Sequence, residues 1–527
     1  MLTYFVIVPV LIAVFLYLFA FAKAGRVIAI LAQVGFVGAA FYLFTLSQQG
    51  EVITNVGNFE SILGIFLRAD NLAAVFILLT AVFFLIASIF SFREKNSKMF
   101  WFLMFIWQGA LIGLFLTRDL FNIFVLIEVV TIVVAVMIMF YRDTRSMYDG
   151  MIYLLVNIVA IKFYLFGLGY LYRLTGALDM EVIATRLLYV EDSSLVLPYV
   201  LFMTAIALKC ALVPLFSWLP KAHGSPAAPP AVSAILSGLH IKAAVYLFVR
   251  LHTVFAGVAA TEFFLVLGVI TGIVGFIFAM SQDDIKLILA YSTISQIGLI
   301  FAALNIPDIY STVGGLFHVI NHALFKGGLF LSAGVISKLY GTRNIYKIRG
   351  VLRRYPLIGI ATLMAILGIA GAPFFNGSIS KYFMVSGADP LLNWTMIFMS
   401  LGTIIVFTKY SMMLFGRSEP EEPAPKVYGE QQFAIAVLGL LCFITGIFGV
   451  QSIAFLFNVS FELDIAGYIE KVIIFFVSLA AGYVIYRYFV RTSALLKHLQ
   501  KFELGFRGAC ASIGVFFAIF LLVVGLL

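Results

Sequence analysis

The feature that most constrains this sequence is a succession of long apolar runs from one end of the chain to the other. Each run has about 20 residues, the length that an α-helix needs to cross the hydrocarbon core of a membrane. The chain is therefore predicted to be an all-α polytopic membrane protein with sixteen spanning helices. The predicted helices cover residues 2–22, 27–47, 71–92, 99–117, 119–141, 150–172, 195–219, 231–251, 257–280, 285–305, 311–337, 356–388, 392–415, 432–457, 467–489 and 507–527.

Composition excludes a soluble protein, because only 11% of the residues are charged and 63% are hydrophobic. A soluble protein carries about 25% charged residues. The net charge of +9 does not indicate nucleic-acid binding, since basic residues in a membrane chain first report orientation. No basic segment precedes the first run, which we interpret as a retained helix rather than a signal peptide. The three cysteines are far apart and lack metal-ligand spacing, and we expect neither a cofactor nor a metal.

The loops between the runs sort by charge, which predicts the orientation of the chain in a cell membrane. Basic loops are expected in the cytoplasm, which places both termini outside if there are sixteen helices. The basic side carries Lys23, Arg26, Arg93, Lys95, Lys98, Arg142, Arg145, Lys338, Arg343, Lys347, Arg349, Arg353, Arg354, Arg487, Arg491, Lys497 and Lys501. The opposite side carries Glu51, Glu60, Asp70, Asp179, Glu181, Glu191, Asp192, Asp308, Asp389, Glu462 and Asp464.

Two of the predicted helices contain helix-breaking residues, five helices apart. The first is LKCALVPLFSWLPKAHGSPAAPPAVSAILSGLHIKAAVY, and the second is LGIAGAPFFNGSISKYFMV. Broken helices are tolerated at membrane depth where they line a wet cavity or are buried in protein, and paired breaks indicate repeats in transporters. We predict N-terminal helices over 1–98, one five-helix repeat over 99–251, a second over 257–415 and C-terminal helices over 416–527.

Glu128 is the only acid inside the apolar stretch NIFVLIEVVTIVVAVMIMF. It follows Asp119 by nine residues, which is about 13 Å of helix rise. A charge at this depth costs a few kcal/mol and is expected to face protein or water. Paired with a lysine such as Lys162 or Lys209, it is either a structural lock between two helices or a switch that a passing proton opens.

Buried lysines and histidines form a second group of candidate functional residues. Lys209, Lys242 and Lys381 lie at or beside the two breaks and form a predicted proton path, with snorkelling to the interface as the alternative. His318, His322 and Lys326 share one helix face at spacings of four residues. We interpret this face as a proton relay or a structural polar seam. A metal site is disfavoured because no third ligand is evident and Lys326 would repel a cation.

Six ordered motifs carry a resemblance to a known family over about residues 60–415. They are LTRDLFNIFVLIE, LKCALVPLFSWLPKAHGSPAAPPAVSA, SGLHIKAAVYLFVR, LAYSTISQIGLI, LFHVINHALFKGGLFLSAGVI and GAPFFNGSISKYF. With these motifs the chain resembles the antiporter-like subunits shared by Mrp-type cation/proton antiporters, respiratory complex I and membrane-bound hydrogenase-type complexes. The resemblance implies a core of about fourteen helices with two inverted five-helix repeats and broken seventh and twelfth helices. Each repeat would hold a half-channel, and about two further helices would follow the core.

The resemblance also assigns roles to residues of this chain. The buried acid of the fifth helix falls on Glu128, and the seventh-helix lysine falls on Lys209. The eighth- and twelfth-helix positions fall on Lys242 and Lys381. The histidines of the eleventh helix fall on His318 and His322.

Two departures from the family pattern concern charged residues. The family usually reads W-L-P-D-A-H, and here Lys221 replaces the aspartate. Many relatives carry a lysine early in the sixth helix, whereas here Lys162 lies deeper. The family role of that lysine therefore does not carry over intact.

The function predicted from these observations is proton translocation, with Na⁺ as a second candidate ion, by one subunit of a multi-subunit membrane complex. The expected partners are other membrane subunits and the lipid bilayer, and no nucleic acid. The chain itself performs no chemistry, and whether the complex is an oxidoreductase is left open. The alternative is a non-pumping structural subunit that only docks partners. An independent small-molecule transporter would need a cluster of hydrogen-bonding side chains that the sequence lacks.

Overall fold

The computed structural model describes residues 1–19, 22–57, 64–94, 97–225, 228–417 and 426–526. Glu60, Lys95, Pro226 and most of the SEPEEPAPK loop lie outside these ranges. Fourteen helices of the described chain are long and apolar enough to cross a membrane, and two more, the first and the twelfth below, are apolar but shorter. The sixteen are α1 Leu2–Leu18, α2 Ala22–Ser47, α3 Asn71–Phe90, α4 Lys98–Leu116, α5 Leu120–Ile138, α6 Thr144–Thr175, α7 Asp192–Lys209, α8 Pro230–Val254, α9 Thr261–Ser281, α10 Ile285–Leu304, α11 Ile309–Tyr340, α12 Pro356–Ala370, α13 Pro390–Ser411, α14 Gly429–Ile447, α15 Ile465–Val490 and α16 Phe506–Leu526.

Shorter elements join the spanning helices. Five-residue π-helical turns lie inside α8 at Leu236–His240 and at the end of α15 at Tyr486–Val490. The short helices are Met180–Leu187, Trp218–Gly224, Val351–Arg354, Asn376–Met384, Gly449–Phe457 and Ala494–Leu499, with a 3₁₀ turn at Ala256–Val258. The strands β1, Val52–Val56, and β2, Ile65–Ala69, form an antiparallel hairpin with Val52 opposite Ala69. The predicted all-α membrane fold is thus confirmed, with one small hairpin that was not predicted.

Three predicted helices end earlier or are divided. The predicted span 195–219 ends at Lys209, because Ala211 adopts a positive φ and prolines follow. The predicted span 356–388 is divided at Gly371, which also has a positive φ. The predicted span 432–457 is divided at Phe448, where the flanking glycines lie against the loop and short helix that follow α12.

The chain forms two compact units. The first contains Met1–Lys221, Leu239–Ala260 and Leu504–Leu527, and the second contains Ala222–Gly238 and Thr261–Glu503. The predicted repeat bounds of 99–251 and 257–415 stay a prediction.

The two units repeat one local structure at a spacing of 165 residues. In the first unit, Asp119 caps α5, and the backbone of Leu120 bonds that of Leu178 at 2.9 Å. In the second, Asp284 caps α10, and Ile285 bonds Arg343 at 2.9 Å. In each unit the capped helix is followed by a long helix, α6 or α11, and both long helices have 32 residues.

A buried ionic cluster joins the start of α3 to α8 in the first unit. The Asp70 carboxylate lies 2.6 Å from Arg250 and 3.1 Å from Arg118. Arg118 also donates to the Tyr246 hydroxyl at 2.7 Å. Burial raises the pKa of Asp70, but the two arginines lower it more, so the carboxyl titrates below its usual range.

Close glycine contacts bring α9 against α10 in the second unit. A Cβ added to Gly298 would meet the backbone of Gly272 and Gly268, and one on Gly275 would meet the backbone of Ser295. Small residues at such spacings let two helices approach closely within a membrane. This packing fixes α10, which carries polar side chains toward α11.

Candidate functional site

The first break places Lys209 at the last turn of α7. Ala211 has φ 54° and the helix does not continue past it. The indole of Trp218 donates to the carbonyl of Leu208 at 2.8 Å, which closes this helix end with a side-chain donor. The lysine is therefore held at a fixed helix terminus inside the membrane region.

The ammonium of Lys209 is hydrogen-bonded by neutral groups from two other helices. Its Nζ donates to Thr131 Oγ1 of α5 at 3.3 Å and to Asn157 Oδ1 of α6 at 3.2 Å. Asn157 is oriented in turn by its own bond to the Tyr153 carbonyl at 2.9 Å, and Thr131 by its bond to the Ile127 carbonyl at 2.7 Å. Three helices thus meet at one lysine.

A narrow cavity of about 10 Å³ lies against Lys209. It is lined otherwise by apolar side chains and one tyrosine, which are Phe124, Ile127, Ile161, Tyr164, Ala205, Ile206, Ala244 and Leu247. Among these lining residues Lys209 carries the only charge, so any polar occupant of the cavity would be oriented by it.

One further predicted residue of the first unit, Lys242, lies on α8. Lys242 is fully buried and follows the π-helical turn by two residues. His240, inside that turn, bonds the Tyr153 hydroxyl through Nε2 at 3.0 Å. Because the backbone carbonyl of Tyr153 orients Asn157, one residue contacts the histidine through its hydroxyl and the Lys209 cluster through its main chain.

The structure pairs Glu128 with only one of its two predicted lysine partners. Glu128 pairs with Lys162 at 3.2 Å, as expected for one of its two candidate partners. The bonds of Lys209 go instead to Thr131 and Asn157. Within the described chain the Glu128 and Lys162 side chains are 39% and 49% exposed, so this chain alone does not bury the pair.

The reason is the face of α5 that carries Glu128. Val125, Val129 and Ile132 on that face are also exposed, so no element of the described chain covers it.

The second break places Lys381 beside the open end of α12. Gly371 and Phe374 adopt positive φ and end the helix, and Lys381 lies on the short helix that follows. Its Nζ donates to the carbonyls of Ile369 at 3.0 Å and Ala370 at 3.4 Å. These are the last carbonyls of the helix, which carry its negative dipole end.

His318 of α11 connects three helices of the second unit. Nδ1 lies 2.8 Å from Ser380 Oγ, and Nε2 lies 3.0 Å from Gln296 Oε1. Gln296 donates onward to Thr403 of α13 at 3.0 Å. Since Ser380 is the sequence neighbour of Lys381, the imidazole lies one residue along the chain from the second break.

His322 and Lys326 continue the face of α11 and are fully buried, so the predicted shared face is confirmed. The rings of His318 and His322 are 6.5 Å apart. Lys326 donates to the Leu289 carbonyl at 2.8 Å and to the Ser292 hydroxyl, both on α10. The described residues hold no group of three or more potential metal ligands.

Two further buried lysines stabilise chain connections. Lys409 donates to the Gln282 carbonyl at 2.5 Å and to Asp283 at 3.1 Å. Lys286, which the sequence analysis did not identify, donates to the carbonyls of Ser225 and Ala228. These contacts satisfy loop carbonyls and a carboxylate, so they fix loops.

Sequence reasoning also missed the neutral partners, which are Thr131, Tyr153, Asn157, Gln296, Ser380 and Thr403. Single neutral polar residues are common in membrane helices, and nothing in the local pattern separates these from the rest. Their importance comes from contacts between helices far apart in sequence.

Comparisons with known proteins bear on the whole chain. The model of the family described as NADH:quinone oxidoreductase/Mrp antiporter, TM, matches residues 117–408. The chain is 28% identical over 486 residues to the D-type subunit of the Na⁺/H⁺ antiporter of Alkalihalophilus pseudofirmus, covering 89% of this chain and 98% of that protein. It is 32% identical over 425 residues to the N-type subunit of the NADH-quinone oxidoreductase of Desulforudis audaxviator, covering 74% and 83%.

The fold is similar to a chain in the solved Mrp complex from Dietzia sp. DQ12-45-1b, with a TM-score of 0.81 and 22% identity over 89% of this chain and 98% of that one. At this identity the likeness shows the fold alone. Every residue of the predicted path lies within the matched range 117–408, whereas α15 and α16 lie beyond it.

Proposed function

Because this chain belongs to the NADH:quinone oxidoreductase/Mrp antiporter family of membrane proteins and is an antiporter-like subunit of a multi-subunit membrane complex, we propose that it carries protons through two half-paths, one in each unit. Lys209 is the proton-carrying residue of the first unit. Lys381 is that of the second. Each lies at the break of a membrane helix.

The observation that carries this proposal is that each lysine lies at the break of a membrane helix and hydrogen-bonds neutral groups there. Lys209 bonds an amide and a hydroxyl, and Lys381 bonds two backbone carbonyls. A carboxylate partner holds a lysine in its charged form, as Asp283 does for Lys409. Neutral partners stabilise the ammonium without a counter-charge, so loss of the proton leaves no unpaired carboxylate behind.

In the first unit the path includes Lys242, Lys209 and the Glu128–Lys162 pair. The pair lies on the same two helices, α5 and α6, that hold the Lys209 partners. Opening the pair frees the carboxylate to attract a proton held at Lys209. The pair therefore controls release from the lysine.

In the second unit the path includes Lys381, His318, His322 and Lys326. Both nitrogens of His318 have a polar partner, Ser380 on one side and Gln296 on the other. An imidazole can accept a proton at one nitrogen and donate from the other, so His318 is a proton relay beside Lys381. Lys326 lies on the same helix face and donates to the Leu289 carbonyl and the Ser292 hydroxyl.

The finer assignments also belong to this proposal. The transported ion is the proton, with Na⁺ as the candidate exchanged ion. The protein lies in the cell membrane with its basic loops in the cytoplasm and both termini outside, surrounded by the other membrane subunits of its complex.

The test is transport by the complex purified with its partner subunits and reconstituted into lipid vesicles. A pH-sensitive dye inside the vesicles reports proton movement, with and without an imposed Na⁺ gradient. The proposal predicts proton movement that Lys209→Arg and Lys381→Arg each abolish, because arginine keeps the charge but does not release its proton. Unchanged transport in both variants would leave a structural subunit that only docks partners.

A further inference from the structure

The extra helix α15 forms one wall of the cavity that contains Lys381. The cavity is partly open and has a volume of about 80 Å³. Four of its lining residues, Lys471, Ile474, Phe475 and Ser478, follow one another on α15 at spacings of three and four residues. They therefore form a single face of the helix, and that face is turned toward the second break.

Lys471 is the second cation of this cavity. Its Nζ donates to Asn393 Oδ1 at 3.1 Å, at the start of α13. Both Lys471 and Lys381 line the same space, together with the hydroxyl-bearing residues Ser378, Ser400 and Ser478. One water needs about 10–15 Å³ of such volume and two to four polar partners, so this cavity has room for several waters.

Polar contacts hold α15 in this position. The Ser378 hydroxyl lies 2.9 Å from that of Tyr468, one turn before Lys471 on α15. The Tyr382 hydroxyl lies 3.5 Å from the carbonyl of Asp464, just before α15 begins. These contacts keep Lys471 over the cavity, although most of the surface of α15 is not covered by the described chain.

Lys471 lies between the cavity and one membrane surface. It follows the start of α15 by six residues, which is about 9 Å of helix rise. The chain just before and around that start carries exposed acids, Glu462, Asp464 and Glu470. Lys471 therefore lies about 9 Å from the acidic start of α15 and lines the same cavity as Lys381.

We propose that Lys471 is a proton-carrying residue that connects Lys381 to the membrane surface at which α15 begins. This inference rests on the proposed function and adds a residue outside the range 117–408 of the family match. A hydronium ion at the aqueous surface transfers one proton to the Lys471 amine and leaves as water. The resulting ammonium transfers one proton to a cavity water, which becomes hydronium. That hydronium protonates the amine of Lys381 and returns to water, so each step moves one proton.

The experiment compares three variants in the reconstituted complex. Lys471→Arg keeps the charge and a donor for Asn393 but does not release a proton, and we expect the initial rate of proton uptake to fall on the order of 10²-fold. Lys471→His restores a titratable group, so it is expected to recover transport with an optimum shifted to lower pH. Ile473→Ala changes a residue on the outward face of α15 and should transport as the unchanged protein does.

Lys381→Arg separates the two proposals. If Lys381→Arg is inactive and Lys471→Arg is normal, the role of Lys471 is overturned and the proposed function stands. If Lys381→Arg is itself normal, the proposed function of this unit is overturned.

A second measurement does not depend on transport. Ser478→Cys, combined with Cys510→Ser, should react with a charged, water-soluble thiol reagent in the assembled complex, because the cavity is hydrated. Absence of reaction would overturn the hydrated connection.

Discussion

The Glu128–Lys162 pair gives the sharpest test of whether an ion pair controls the first half-path. Its atoms are 3.2 Å apart, and both side chains are partly exposed. Glu128→Gln leaves Lys162 as an unpaired cation at membrane depth. Such a charge costs about 2.5–3.5 kcal/mol on the insertion scale when lipid surrounds it. Because the Lys162 side chain is 49% exposed, we expect about half of that range as lost stability.

The double variant Glu128→Gln with Lys162→Met separates a switch from a lock. It removes both charges, so its stability should return to within about 1 kcal/mol of the unchanged protein, the value of an exposed pair. Glu128→Gln alone should abolish proton transport, because no acid remains to attract the proton of Lys209. The double variant should be inactive for the same reason. Stability is measured as the thermal midpoint of tryptophan fluorescence in the solubilised complex, and transport as the initial rate in vesicles.

Lys162→Arg is the matched control, since it keeps the cation beside Glu128 and should keep transport. The reasoning is refuted if the double variant transports at the normal rate. In that case the pair only holds α5 and α6 together.

Three further predictions concern the framework of the site. The low pKa of Asp70 beside Arg250 contributes stability above pH about 4, and this stability is lost as the pH falls through the folded-state pKa. Asp70→Asn should therefore lower the thermal midpoint at neutral pH and make it less dependent on acid pH. Gly298→Val should destabilise the complex by about 1–3 kcal/mol through overpacking against α9, and an unchanged midpoint would contradict the close packing. Lys221→Asp restores the usual residue of the family but places a carboxylate against the carbonyl of Leu504, to which Lys221 donates at 3.0 Å. We expect stability to fall by about 1–3 kcal/mol, and Lys221→Met should lose only part of that amount.

The sequence predicted the membrane architecture because hydrophobic length is a direct requirement of the bilayer. The breaks were predictable as well, since proline at 214 and glycine at 371 disrupt a helix whatever surrounds them. The hairpin of Val52–Val56 with Ile65–Ala69 was not predicted. Its short strands lie in a polar connection with no strong turn signal between them.

The site was predicted in its charged residues and missed in its geometry. Hydropathy does not tell which face of a helix its neighbours cover, so the exposure of Glu128 could not be foreseen. A functional role for Lys471 was not predicted, because the residue lies close to a predicted helix end, where a lysine ordinarily extends to the membrane interface. The spacing of Ile474, Phe475 and Ser478 after it was the available signal, and it gains meaning only beside the second break.

The measurement that tests the central claim most directly is the initial rate of proton movement through the reconstituted complex carrying Lys209→Arg. Arginine keeps the positive charge at the end of α7 and can still donate to Thr131 and Asn157. The account predicts a stable, fully assembled complex whose proton movement falls by about 10²-fold or more. Transport at the normal rate would contradict the account, because a side chain that does not release its proton would then support transport as well as Lys209 does.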